Sequence, residues 1–301
     1  MLFIVVIILC VVLTRFYFDV TKNTTVQSHD SRVQSVVKRF GKIQVFRSVN
    51  GNYGLLDTDG TVLIEPDWLE ILDVTEDLVL ISDRINNQML IGGIDYEENI
   101  VLPFVFRSME KLGEDYYLGI VSADSRCIIY DKHYQSVFQE SFDSVSYENK
   151  LLTLNNPSDT LYYDMSEQPP VFRRAEFSCE ITDTLTLNWK IANQVYLSEL
   201  TKDDLRRINR IVSAYMQMIQ NQDFRNIDDL TAEEYVNTLI KPSLPDTVFT
   251  EVHNFSFSRR ESGAYDFTFM LGNTEIHLYF RKNPENQMLL TAADIHSAAE
   301  E

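Results

Sequence analysis

The sequence predicts a mainly β protein with an α+β carboxy-terminal part. The expected order is a transmembrane helix over residues 1–18, a polar linker over 19–39, a β-hairpin repeat module over 40–170 and a helix-plus-curved-antiparallel-sheet domain over 171–301. Three observations predict it. A hairpin pattern returns at intervals of 38, 36 and 33 residues through the first half. Apolar spacings of three and four open after Thr201. Strand-like alternation then resumes from Val248.

Composition limits the function classes. Among 301 residues, 45 are acidic and 26 basic, a formal net charge of −19 that repels a phosphate backbone and argues against nucleic acid as a partner. Hydrophobic residues at 45% and aromatics at 12% can bury a core, which excludes a disordered chain. Three cysteines are too few for a disulfide scaffold or a structural zinc site.

At the amino terminus Leu2 to Leu13 are uninterrupted apolar residues, followed by Arg15 and the trio Phe16-Tyr17-Phe18. Such a stretch is near the lower length limit for crossing a bilayer as a helix, with the aromatics at the interface. No basic region precedes it, and no small-residue cleavage site comes after it, so an uncleaved single-pass anchor fits better than a signal peptide. Leu9 before Cys10 also argues against a lipoprotein signal. Arg15 and Lys22 favour a cytoplasmic body by the positive-inside rule, whereas short terminal anchors often export the domain behind them. The working expectation is an extracytoplasmic body tethered to the membrane.

The first hairpin is Tyr53-Gly54-Leu-Leu-Asp57-Thr-Asp-Gly60, a strand running into an Asp-Gly turn, followed by a second strand with Pro66 and Trp68. The proline is expected to end that strand. The shape returns around Gly92, Asp95 and Pro103, again around Asp131 and Phe142, and faintly at Asp164. Further strands are expected at Leu78–Ser82, Tyr116–Val121 and Leu151–Leu154. Units this short bury their apolar faces only by stacking on neighbours.

These residues resemble the WG-repeat (KWG) family of bacterial proteins, whose unit runs aromatic-Gly, two apolar residues, Asp, a Gly turn, an apolar strand and a second aromatic. Tyr53, Gly54, Asp57, Gly60, Pro66 and Trp68 match in order. The second copy keeps Gly92, Asp95 and Pro103 but carries Glu98 at the turn glycine, and the third keeps Asp131 and Phe142. The resemblance implies a β module used for binding or display, with no catalytic residues to carry over. Trp68, Phe104, Phe106, Tyr116 and Tyr117 are the aromatics expected on its surface. Asp57-Thr-Asp59-Gly60 also begins like a calcium loop, but the position eleven after Asp57 is Trp68 rather than a bidentate glutamate. Turn chemistry alone accounts for Asp and Gly there, and no metal is expected.

Gln168-Pro169-Pro170 suggests a boundary. Phe177, Cys179, Ile181, Leu187 and Trp189 alternate as strands would. Thr201-Lys-Asp-Asp204 is a capping box opening a helix with Leu205, Ile208, Val212, Tyr215 and Ile219 on one face. Lys202, Arg206, Arg207 and Arg210 lie on the other side, as a docking patch or a solvated surface. Thr231-Ala-Glu-Glu234 opens a shorter helix that Pro242 ends. Strands come next at 248–258, 265–271, 276–280 and 288–292, with Gly272-Asn273 as a two-residue hairpin. Helices succeeded by a meander resemble the nuclear-transport-factor-2-like, or cystatin-like, cone, a superfamily that includes both enzymes and binding domains.

Candidates for chemistry are few. His253, His277, Tyr265 and Tyr279 are the candidate ligand-binding residues inside the cone, with Asp266 and Glu275 as carboxylates that could orient a histidine. Placement of both histidines on an outer strand face is the plainer alternative. Cys127 and His133 match no nucleophile spacing; Cys127 either packs as a small apolar residue or pairs with Cys179. Asn23 and Asn254 satisfy the glycosylation sequon, which matters only in a eukaryotic secretory path. There is no G-x-S-x-G, H-E-x-x-H, P-loop or dinucleotide fingerprint. The expectation is a membrane-anchored, non-enzymatic binding or scaffold protein with a protein or envelope partner and no cofactor. The alternative is an enzyme or small-ligand receptor with its site in the cone.

Overall fold

The computed structural model describes residues 31–236, 239 and 251–297. The expected anchor, residues 1–18, lies outside them. Among the described residues no helix is long and apolar enough to cross a membrane. These residues form a mainly β structure of four antiparallel sheets, each a meander of consecutive strands. The chain divides into two compact units, one ending at Ser141 and the other starting at Phe142.

In the first unit β1 (Val33–Phe40), β2 (Ile43–Ser48), β3 (Tyr53–Leu56) and β4 (Val62–Trp68) form one sheet. The second sheet holds β5 (Glu70–Val74), β6 (Val79–Ile85), β7 (Gln88–Ile94), β8 (Ile100–Leu112), β9 (Tyr116–Val121) and β10 (Cys127–Asp131). Residues 33–39, expected in the polar linker, are strand. Successive hairpins share a register. Across β3–β4, Tyr53 faces Trp68, Leu55 faces Ile64 and Leu56 faces Val62. Thirty-eight residues on, across β7–β8, Ile91 faces Phe106, Gly93 faces Leu102 and Ile94 faces Ile100. Both ladders shift at the same two places. A third copy keeps a single bridge, Tyr130 with Ser136, the counterpart of Ile94 with Ile100.

The shifts explain why the prolines do not end their strands. Pro66 lies between the Ile64 and Trp68 pairings, and Pro103 between those of Leu102 and Phe106, so neither position owes the ladder an N–H. β4 therefore runs on to Trp68, and β8 to Leu112, pairing β7 with its first half and β9 with its second.

The turns are also alike. Asp57 N donates to Thr61 O at 3.0 Å, Asp95 N to Asn99 O at 3.0 Å and Asp131 N to Gln135 O at 2.9 Å. The fourth residue of each turn is left-handed, with φ of 90° at Gly60, 63° at Glu98 and 56° at Tyr134. This is a type I turn closed by a left-handed residue, which favours glycine without requiring it. Each aspartate completes its turn by accepting from the amides two and four residues on. Asp57 Oδ1 takes Asp59 N at 3.0 Å and Thr61 N at 3.1 Å. Asp95 Oδ1 takes Glu97 N at 2.9 Å and Asn99 N at 2.8 Å. Asp131 Oδ1 takes His133 N at 2.8 Å and Gln135 N at 2.9 Å. Asp164 repeats the first contact, with Ser166 N at 2.9 Å.

The two sheets of this unit share a core of Val45, Leu55 and Ile64 from the first and Ile71, Val79, Ile81 and Ile94 from the second. Leu78, Leu80, Leu102, Phe106, Tyr117, Tyr130 and Tyr134 make another cluster, drawn from the second sheet, the residue before β6 and the turn after β10. Phe106, Tyr116 and Tyr117, expected on the surface, are thus buried, because this sheet packs on both faces. Trp68 and Phe104 are half-buried, stacked with ring centroids 5.9 Å apart.

The second unit begins with a sheet of β11 (Ser144–Glu148), β12 (Leu151–Asn155), β13 (Asp159–Asp164), β14 (Val171–Thr182) and β15 (Leu185–Ile191). Gln168-Pro169-Pro170 lies in the connection between the paired strands β13 and β14, so residues 171–191 share a sheet with 144–164. After α1 (Gln194–Glu199), helix α2 spans Lys202–Asn221. Its capping box is formed as expected, with Thr201 Oγ1 accepting from Asp204 N and Asp204 Oδ2 accepting from Thr201 N. Leu205, Ile208, Val212, Tyr215 and Ile219 are buried where α2 packs on β14. The Thr231 hydroxyl donates instead to Leu290 O, and Glu233–Tyr235 form a 3-10 turn; the rest of the expected short helix, with Pro242, lies outside the described residues except 236 and 239. The last sheet is β16 (Val252–Arg259), β17 (Tyr265–Leu271), β18 (Thr274–Lys282) and β19 (Met288–Ser297), against which α2 also packs through β19.

Candidate functional site

The last sheet has two chemically opposite faces, set by alternation along β17. Phe267, Phe269 and Leu271 point into the core and are fully buried, and Phe280 of β18 joins them. Trp189 lies over Phe177 at 4.4 Å and packs edge-on against Phe267 at 5.2 Å, with Phe255 and Phe257 against it. The interior is therefore filled by aromatic side chains.

The intervening residues Asp266 and Thr268 lie on the other face, where they meet His277 and Tyr279 of β18 and Asp294 of β19. Asp266 is the centre of this cluster. Its Oδ2 accepts from Arg260 Nε at 3.0 Å and Nη2 at 2.9 Å. Its Oδ1 accepts from the Thr268 hydroxyl at 2.9 Å and lies 3.2 Å from His277 Nδ1. Arg260 also donates to Tyr279 Oη at 2.7 Å, and Tyr279 donates to Asp294 Oδ2 at 3.0 Å. Glu275 Oε1 is 3.6 Å from His277 Nε2, so a carboxylate faces each nitrogen of the ring. Burial, followed by the bond to Asp294, pushes the Tyr279 hydroxyl up to about 12. A buried carboxylate with charged and hydroxyl partners at both oxygens is well satisfied, and such a network pins strands together.

Of the four expected ligand residues, the structure joins His277 and Tyr279, with rings stacked 6.1 Å apart. Tyr265 lies on the aromatic face, where its hydroxyl donates to Glu199 Oε2 at 2.8 Å, and burial with that bond raises it to about 12. His253 sits opposite Met270 at the start of β16, with no hydrogen bond at its buried Nδ1. The four do not converge inside a cone. Arg260, Thr268 and Asp294 were not singled out in the sequence, although polar residues in phase between Phe267 and Phe269 signal a second, polar face.

Two grooves lie elsewhere in this unit. One, of about 600 Å³, has Phe177, Trp189 and Phe255 in its wall and Asn156, Ser158 and Lys190 at its rim. The other, of about 540 Å³, is lined by Cys179, Arg206, Asn209 and Arg210. Between them, Trp189 Nε1 donates to Asn209 Oδ1 at 2.8 Å, and Asn209 Nδ2 donates to Ser178 O at 2.9 Å. The helix cations are structural ties in part: Arg206 bonds the buried Asp159 at 2.6 Å, and Arg207 donates to Met288 O.

The remaining candidates resolve simply. The Asp57 and Asp59 carboxylates accept turn amides, as the tight-turn explanation requires. Among the described residues no group of three His, Cys, Asp or Glu side chains is placed to hold a metal ion. Cys127 and Cys179 are both buried and no disulfide joins them; burial pushes the Cys179 thiol up to about 12. His133 faces Asp77 at 3.6 Å on the surface.

No family model matches the chain, and no curated protein matches it. Among solved structures, a chain of a nidogen–laminin complex is 9% identical, covering 47% of this chain and 64% of its own, with a TM-score of 0.23. The computationally designed protein Ika8 is 8% identical over 88% of this chain and 75% of its own, with a TM-score of 0.24. A putative exported protein from Bacteroides fragilis is 12% identical over 88% of this chain and 72% of its own, with a TM-score of 0.22.

Proposed function

We propose that the chain is a membrane-tethered, non-enzymatic binding or scaffold protein, built in its first unit from WG-like hairpin repeats that display a surface to a protein partner. The observation that carries this reading is the common register and turn geometry of the hairpins at Asp57, Asp95 and Asp131. Repeats that stack into a shared core leave extended surfaces for partners rather than a catalytic cleft. The display surface includes the first half of β8, where Ile100 and Val101 are 64% and 53% exposed. The test is a photo-crosslinking residue at Val101 in the full chain, expressed in intact cells. The reading predicts one adduct of discrete mass in the membrane fraction, lost when Val105 is replaced by Glu. A folded, membrane-bound chain that forms no adduct would overturn it.

A second reading, an enzyme or small-ligand receptor in a cystatin-like second unit, is favoured by His277 seated against Asp266. Weighing against it, that pair lies on the face opposite the aromatic interior, and Phe267 and Phe269 fill the interior.

A further inference from the structure

The one strongly basic part of this acidic protein is the β1–β2 hairpin. Residues 31–56 carry Arg32, Lys38, Arg39, Lys42 and Arg47 and no Asp or Glu, in a chain of net charge −19. All five residues are exposed. Among the described residues the hairpin is an end of its sheet, with β1 paired only to β2. Three of the cations gather at its tip around the Phe40-Gly41-Lys42-Ile43 turn. Lys38 Nζ is held there by the Leu72 carbonyl at 3.0 Å and lies over the Phe40 ring at 4.3 Å. Toward the other end, Arg32 pairs with Glu65. Among these charges Val37 on β1 and Val49 in the turn after β2, whose amide donates to Arg32 O, are 51% and 63% exposed.

We propose that this hairpin lies against the anionic headgroups of a lipid bilayer. The inference rests on the tether reading of residues 2–18 and adds the part of the body that meets the membrane. Residues 19–32 between that segment and β1 can span at most about 50 Å, so a tethered chain keeps the hairpin near the lipid surface. Exposed lysine and arginine gain from the negative surface potential only within a screening length, and exposed valines suit the headgroup boundary. The remainder of the chain is acidic and is repelled by the same surface, which orients the body with this hairpin toward the bilayer.

The test adds purified full chain to vesicles of phosphatidylcholine alone and of phosphatidylcholine with phosphatidylglycerol, then measures amine acetylation at single lysines by mass spectrometry. Flotation with neutral vesicles reports the tether separately. The expected result is slowing of about fivefold or more at Lys38 and Lys42 on the anionic vesicles only. Lys111 and Lys132 should be unchanged. The slowing should vanish in molar salt, where the screening length falls to about 3 Å, and in the Arg39→Glu/Arg47→Glu variant. Equal acetylation of Lys38 and Lys42 on vesicles to which the chain has floated overturns the proposal while leaving the tether standing. A chain that does not float on neutral vesicles removes the tether. Equal protection by single-stranded RNA without vesicles overturns the assignment to lipid.

Discussion

Replacing Gly92 with alanine tests why the hairpin pattern carries a glycine three residues before its aspartate. A methyl group at Gly92 would lie 2.9 Å from Leu102 O and 2.6 Å from the Phe104 ring. At the matching Gly54 it would lie 2.6 Å from Ile64 O and 2.6 Å from the Phe46 ring. Ordinary contact begins near 3.4 Å, so each backbone carbonyl must retreat by 0.5 to 0.8 Å. Ladder bonds hold both strands, and the facing rings are packed. Overpacking of this kind costs about 1–3 kcal/mol, and a weakened ladder bond adds about 1 kcal/mol. We expect Gly92→Ala and Gly54→Ala each to destabilise by about 2–4 kcal/mol, lowering Tm by about 5–15 °C. At the third copy the position is Ile128, opposite a segment that keeps only the Tyr130–Ser136 bridge. There a side chain fits, and Ile128→Ala should cost only its lost packing, about 1–2 kcal/mol. Urea unfolding followed by tryptophan fluorescence and circular dichroism measures all three. Gly92→Ala and Gly54→Ala with wild-type midpoints would refute the close-approach explanation.

Other outcomes are expected in the second unit. Asp159 is 3% exposed at its side chain and bonds Arg206, so Asp159→Ala should cost about 3 kcal/mol, read from urea midpoints. Replacing both residues by apolar side chains should recover part of that loss. Tyr265 and Tyr279, raised to about 12 in the folded chain from an ordinary value of 10, contribute stability that is complete below pH 10 and is lost as pH rises through 12. Unfolding free energy measured from pH 9 to 12 should therefore fall, and the Tyr265→Phe/Tyr279→Phe variant should show a shallower slope. A slope equal to that of wild type would remove these hydroxyls from the alkaline transition.

Much of the β architecture was legible because turn chemistry and alternation are local. Asp57-Thr-Asp-Gly60, Gly272-Asn273 and the Thr201 capping box each specify a geometry within four residues, and all three form. Glu98 reads as decay of the turn glycine, yet it adopts the left-handed conformation, as Tyr134 does in the third copy. Their aspartates hold the turn through two amides, and Glu98 Oε1 also accepts from Glu65 N at 3.1 Å. Burial was less legible. Phe106, Tyr116 and Tyr117 look like surface aromatics only if the second sheet has one buried face, whereas it packs on both. The Asp266 network was half legible. Its members alternate correctly on β17 and β18, but Arg260 arrives from outside the strands and Asp294 from a partner strand. Only the sheet register brings His277 opposite Asp294 and Thr268.

The equivalence of the hairpins is measured most directly by amide hydrogen exchange at Thr61, Asn99 and Gln135. Each of these amides donates to the aspartate four residues before it. Similar protection at all three is the predicted result, with Asp95→Ala releasing the Glu97 and Asn99 amides while Thr61 and Gln135 stay protected. Exchange at the unstructured-chain rate at any one of the three in the wild-type protein would contradict it.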